Sequence, residues 1–234
     1  MKKLKVLLSV LLVVIIAVGG SGCMRSNSRG FVSYLEKKYP DDNFKFIDFV
    51  GGTLFGGSVL KEARCTSELL PDYNIFVSYN KNKKSFSDNY LDMKYLDETD
   101  EAIKEFFNIA FQNEEFYVEP SIDSFVSTTA SSSLDSNIGF DDYKRQRGIP
   151  VFAYATNNSQ KTHNEISENI KRVLTEKKLY CDYIDVYILD ELPNNLENDT
   201  SLQNSIVTKN KYSDHLFMEL SEDFEFETVE WENE

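Results

Sequence analysis

Few residues in this 234-residue chain have side chains suited to specific chemistry. They are the thiols Cys23, Cys65 and Cys181, the imidazoles His163 and His215, and the run Gly51-Gly52-Thr53-Leu54-Phe55-Gly56-Gly57. A zinc centre combines several His or Cys ligands at recognisable spacing. Neither histidine has such a neighbour, and His163 falls in the first turn of an expected helix, so no metal site is expected. The glycine run lacks the Gly-Lys-Ser/Thr of a phosphate-binding loop and reads as a hairpin tip. No Gly-x-Ser-x-Gly elbow is present to mount a nucleophilic serine. Carboxylates are numerous, 39 Asp and Glu against 25 Lys and Arg, so a pair of them is no signature of a glycosidase. A solvated acidic surface is the simpler expectation. The loop with Asp190, Glu191, Asn194, Asn195, Glu197 and Asp199 offers oxygen ligands for calcium but lacks the spacing and glycine of an EF-hand. No catalytic residue, metal or cofactor is assigned on these grounds. Cys65 falls in an expected strand of the first half and Cys181 at the start of one in the second, and two separate, partly buried thiols are expected rather than a disulfide.

Cys23 is set apart by what precedes it. Lys2, Lys3 and Lys5 make a cationic start, Val6 to Val18 is apolar except for Ser9, and Gly19-Gly20-Ser21-Gly22-Cys23 follows. This is the layout of a secretory signal, and its apolar run falls short of the roughly 20 residues that span a bilayer. Ser21-Gly22-Cys23 resembles the lipobox of bacterial lipoproteins, with Gly20 where that family usually has Leu or another apolar residue. The resemblance implies cleavage between Gly22 and Cys23 and a diacylglyceryl group on the Cys23 thiol. It also implies a lipid anchor at the extracytoplasmic face of the cell membrane. Residues 1–22 are then the signal peptide and 23–30 a polar, lipidated tether. Loss of Lys2, Lys3 and Lys5 takes the formal charge from -14 to -17. Two acyl chains make a firm anchor where one is marginal.

The body reads as α+β. A helix is expected over Phe31–Tyr39, then strands over Phe44–Val50, Val59–Thr66 and Tyr73–Tyr79, an antiparallel meander. Helices follow over Asp88–Tyr95 and Asp100–Phe111, and Glu115–Val126 is extended. The low-complexity stretch Ser127–Ser133 suggests a soft boundary, giving halves 31–127 and 134–234. In the second half Phe140–Gln146 reads as a helix and Ile149–Ala155 as a strand. Thr162 and Glu165 form a capping box for a helix to about Lys177, with Ile166, Ile170, Val173 and Leu174 on one face. Tyr183–Leu189 is a strand, so strand, helix and strand make a βαβ unit with parallel strands. Leu192–Lys211 is a long polar loop, and His215–Leu220 with Phe224–Trp231 closes the chain as a hairpin. The phase of Phe224 and Phe226 against Val229 and Trp231 predicts a bulge near Thr228.

The acidic balance argues against a nucleic-acid partner, which needs a basic face. Asp88-Asn89-Tyr90-Leu91 with Lys94-Tyr95, after a helix and three strands, resembles small uncharacterised surface lipoproteins of Gram-positive bacteria, a resemblance that implies no activity. The expected role is a non-enzymatic binding module at the cell envelope. Its partners would be the membrane, through Cys23, and a cationic envelope component or peptide. The alternatives are an accessory envelope hydrolase and an immunity-type lipoprotein that intercepts a cationic peptide. Tyr34, Tyr39, Tyr73, Tyr79, Tyr90 and Tyr95 crowd the first half, as a binding face or, more often, a core edge. From Glu219 to Glu234 there are eight acids and no Lys or Arg. That end is expected to be a strand burying its aromatics and turning its carboxylates to water, serving solubility and edge protection ahead of partner binding.

Overall fold

The computed structural model describes residues 28–51, 60–121, 130–209 and 211–233. Gly22, Cys23, most of the tether and the Gly52–Gly57 part of the glycine run lie outside them. The architecture is α+β: a helix and an antiparallel four-stranded sheet, then helices and a mixed five-stranded sheet. The chain divides into two compact units, with the boundary between Tyr90 and Leu91. The serine-rich stretch falls inside the second, and its described part, Ala130–Ser133, is a 3-10 turn.

In the first unit, α1 (28–38) precedes β1 (Phe44–Gly51), β2 (Leu60–Ser67), β3 (Asn74–Asn80) and β4 (Ser85–Asp88), paired antiparallel in that order. Phe31, Leu35 and Tyr39 recur at helical spacing and are buried. Two buried carboxylates tie the unit together. Asp88 accepts from Tyr34 Oη at 2.6 Å, Tyr39 Oη at 2.7 Å and Lys38 Nζ at 2.9 Å. Asp42 accepts from the Ser67 hydroxyl, Tyr90 Oη and the Glu68 and Leu69 amides. Asp88 therefore ends a fourth strand and does not open a helix. Ser85-Phe86-Ser87-Asp88 is too short and polar to announce itself as β structure. The helix begins at Tyr90 (α2, Tyr90–Lys94).

In the second unit α3 (Leu96–Ala110) starts one turn earlier than expected, because Leu96 and Thr99 are themselves buried. β5 (Phe116–Val118), α4 (Phe140–Gln146), β6 (Pro150–Thr156), α5 (His163–Lys177) and β7 (Tyr183–Leu189) follow. β6 and β7 pair parallel from Pro150↔Tyr183 to Thr156↔Leu189, so the βαβ unit is present. The capping box is formed, with Thr162 N donating to Glu165 Oε2 at 2.8 Å and Glu165 N to Thr162 Oγ1 at 3.3 Å. Ile166, Ile170, Val173 and Leu174 are buried. The expected Leu192–Lys211 loop is instead broken by a 3-10 turn (Leu196–Asn198) and by α6 (Thr200–Thr208). Short and β-branched residues give α6 weak intrinsic helicity, and burial of Ile206 holds it. β8 (Asp214–Leu220) and β9 (Phe226–Asn233) form the hairpin, and the sheet order is β5-β6-β7-β8-β9. Leu220 pairs with Phe226 and Glu219 with Thr228, so the bulge residue is Glu227.

Candidate functional site

Side chains alternate across a strand, so each face of the five-stranded sheet has its own residue set. One parity, including Val151, Ala153, Ala155, Ile184, Val186, Ile188, Leu216 and Met218, is buried. Phe116 belongs to it by register and meets Phe107 of α3 at 5.7 Å, and Trp231 donates to Ser167 of α5, so this is the helix-covered face. The other parity is the candidate site. Register aligns Tyr117, Tyr154, Tyr187, His215 and Glu232 in one row across all five strands. A second row reads Phe152, Asp185, Phe217 and Glu230, and a third Tyr183, Glu219 and Thr228.

The rings of the first row are stacked. Tyr117 and Tyr154 lie 6.3 Å apart, Tyr154 and Tyr187 5.6 Å, and Tyr187 and His215 4.5 Å at an interplanar angle of 9°. Leu196 and Ile206 join Tyr154, Tyr187 and Leu189 in a small core, with Leu192, Leu202, Val207 and Tyr212 against it. The segment with α6 thus roofs the first row. In the second and third rows Phe152, Tyr183, Asp185 and Phe217 are half-buried, while Glu219, Glu230 and Glu232 are exposed. Phe152 meets Tyr183 at 5.5 Å edge-on, and Tyr183 meets Phe217 at 6.4 Å. Among the described residues none of these face positions is Lys or Arg. A cleft of about 540 Å³ opens beside the β5 edge, lined in part by Asp100, Lys104, Phe116, Tyr117 and Glu119.

His215 is the titratable hinge of this face. Its Nε2 lies 2.5 Å from Asp185, and its buried Nδ1 makes no hydrogen bond, standing 3.5 Å from Glu232 at ion-pairing distance. The Asp185 hydrogen bond raises its pKa, burial opposes this, and the Asp185 and Glu232 charges add to the rise. Burial, with Asp185 next, pushes the Tyr187 hydroxyl up to about 12. His163 sits on the helix side, stacked on Trp231 at 3.9 Å and 2.5 Å from Asp214, and so pins β9 to α5. Among the described residues no hydroxyl or thiol hydrogen-bonds either histidine.

The remaining candidates are spent on structure. Cys65 and Cys181 are free thiols at 0% exposure, fully and not partly buried. Burial pushes the Cys65 thiol up to about 12 and raises Cys181 as well. Asp199 of the calcium candidate caps α6, accepting from Leu202 N at 3.0 Å and Ser201 Oγ at 2.9 Å. No group of three or more metal-ligating side chains occurs among the described residues. Of the crowded tyrosines, Tyr34 and Tyr39 donate to Asp88, Tyr90 to Asp42 and Tyr95 to the Ile138 carbonyl. The tyrosines of the sheet face are others, brought into rows by register alone. The alternation Phe152/Tyr154, Tyr183/Tyr187 and His215/Phe217 is the sequence signal that could have found them.

No described helix is long and apolar enough to cross a membrane. No family model and no curated protein matches the chain. Among solved structures it is similar to the crystal structure of a DUF5037 family protein from Ruminococcus gnavus ATCC 29149, at 16% identity over 86% of this chain and 94% of that one. The TM-score of 0.36 is too low for that likeness to carry fold or function across.

Proposed function

We propose that this chain is a membrane-anchored extracytoplasmic lipoprotein and a non-enzymatic binding module of the cell envelope. It holds a cationic partner on the Tyr-, Phe- and carboxylate-bearing face of its five-stranded sheet. The residues up to Cys23 support the anchor. The observation that carries the binding role is the row Phe152, Asp185, Phe217 and Glu230, in which half-buried rings alternate with carboxylates. A Lys or Arg side chain over such a ring gains about 0.5–2 kcal/mol. The acidic surroundings raise the local concentration of cations before contact. The immunity-type reading uses the same face and chemistry, the partner then being a soluble cationic peptide.

The test is crosslinking in intact cells of the native host, with a photoreactive residue at Phe217 and, as control, at Leu69. Capture of a Lys- or Arg-rich component at Phe217 alone supports the reading. Identical capture from both positions, or a neutral or acidic partner, overturns it. Mass analysis of the mature N-terminus tests the anchor separately, since an unmodified terminus elsewhere than Cys23 removes it.

A further inference from the structure

The exposed large apolar side chains of the described residues are Ile47, Val50, Leu60, Leu69 and Val229. Three of these five lie on β1 and β2, and bulges explain two of them. Phe46 pairs with Cys65 and Asp48 with Arg64, while Phe49 pairs with Ala63 and Gly51 with Glu62. Ile47 and Val50 are therefore the extra residues, turned out of the ladder at 43% and 52% exposure. Leu60, which opens β2, is 46% exposed.

Topology gathers further features at the Val50 and Leu60 end of the sheet. Leu60 pairs with Asn80, where β3 turns into β4, so the exposed Lys81, Lys83 and Lys84 of that turn stand beside it. α1 also begins at this end. Phe31, in its first described turn, meets Phe49 at 5.8 Å and Phe86 at 5.4 Å. At the helix's other end Tyr39 meets Phe44 at 6.3 Å and bonds Asp88, which lie at the opposite edge of the ladders. The nearby acids offset the lysines only in part. Asp48 is paired bidentately with Arg64, and Glu62, which accepts from Ser78 at 3.0 Å, leaves one negative charge against Lys81, Lys83 and Lys84. In a chain of net charge -14 this is a local basic cluster beside apolar side chains.

Cys23 stands five residues before Ser28, a stretch that spans at most roughly 18 Å when fully extended. An acylated Cys23 therefore keeps the start of α1, and this end of the sheet with it, within reach of the headgroups. We propose that this end of the four-stranded sheet seats on an anionic bilayer surface. Val50 and Leu60 enter the interface, and Lys81, Lys83 and Lys84 meet the headgroup phosphates. The seat rests on the reading of Cys23 as the anchor for its orientation. It adds to the two acyl chains a basic and apolar contact that orients the domain on an anionic surface.

The experiment uses the full chain in phosphatidylcholine vesicles with and without phosphatidylglycerol. Leu60→Trp and Leu69→Trp are compared, each in a Trp231→Phe background, with brominated lipid as quencher. Leu69 is 62% exposed, in the turn at the opposite end of the sheet. Expected is several-fold stronger quenching at position 60 than at 69, increased by phosphatidylglycerol. Lys81→Gln, Lys83→Gln and Lys84→Gln together should abolish that increase. Equal quenching at both positions, or indifference to lipid charge and to the lysines, overturns the seat, including in favour of a protein partner at this end. The mass of Cys23 in the same sample separates the two readings. An acyl-free Cys23 removes the anchor, while the comparison of 60 with 69 on phosphatidylglycerol vesicles still reads the seat, because the lysines and apolar side chains are themselves what contacts the lipid.

Discussion

His215 Nε2 lies 2.5 Å from Asp185, reaching diagonally across the β7–β8 ladder, since Asp185 is directly opposite Phe217 and His215 opposite Tyr187. The diagonal joins the roofed tyrosine row to the half-buried row and places a titratable charge where they meet. The groups facing that imidazole are Asp185, Glu232, Tyr187 and Tyr212.

The folded-state pKa of His215 is raised, chiefly by the Asp185 hydrogen bond. Its contribution is therefore fully present below the unfolded value, about 6.5, and is lost as pH rises through the folded value. Asp185→Asn should destabilise by about 1.5–3 kcal/mol at pH 5.5 and by clearly less at pH 9. Thermal unfolding at the two pH values checks this, and an equal loss at both contradicts the linkage.

Asp92 is a fully buried carboxylate of the second unit. It accepts from Tyr143 Oη at 2.7 Å, Ser131 Oγ at 2.8 Å and Arg147 Nε at 3.0 Å, and Arg147 is itself buried. Asp92→Ala removes the hydrogen-bonded carboxylate from a buried guanidinium, which costs about 3–5 kcal/mol. Urea unfolding should show that loss, with a smaller one for Arg147→Met in the Asp92→Ala background than for Asp92→Ala alone.

Thr162→Ala removes the side chain that caps α5 and with it half of the capping box. A lower unfolding temperature, by roughly 2–4 °C, is expected, and Thr162→Ser should restore most of it. Calorimetry distinguishes this from an unchanged midpoint, which would mean that packing of Ile166, Ile170, Val173 and Leu174 alone sets the helix start.

The acidic β9 segment should act as two functional classes. Glu225 is bonded to Lys171 on α5 at 2.6 Å, whereas Glu230 and Glu232 fall in the rows of the candidate face. Glu230→Gln with Glu232→Gln should weaken binding of a Lys-rich peptide about tenfold at low salt and less at moderate salt, because exposed charges are screened over roughly 10 Å at 0.1 M. Glu225→Gln should leave affinity unchanged. Equal effects from both sets, read by fluorescence anisotropy, would reduce the segment to edge protection.

Elements with a local signature are legible in the sequence itself. The Thr162/Glu165 box and the four spaced apolar residues after it mark α5, and Tyr183–Leu189 is a strand to the residue. Elements held mainly by tertiary contacts are not. β4 is four residues long and polar by alternation, and α6 depends on burying Ile206 beneath poor helix formers. The candidate face is the least legible, because Tyr117, Tyr154, Tyr187 and His215 become neighbours only through strand register. The tyrosines that do crowd in sequence, Tyr34, Tyr39 and Tyr90, are internal donors to buried carboxylates. The resemblance of Ser21-Gly22-Cys23 to a lipobox rests on sequence alone, since those residues lie outside the described ones.

The most direct measurement of the binding role is the affinity of a Lys- and Arg-rich peptide for the full chain, compared between the native protein and a Phe217→Ser variant carrying Glu230→Gln. A face that holds cations with rings and carboxylates together predicts a loss of tenfold or more, with each single change accounting for part of it. It also predicts no comparable loss with an acidic peptide of the same length. Unchanged affinity in the double variant, with the fold intact by circular dichroism, would contradict the assignment of this face as the binding site.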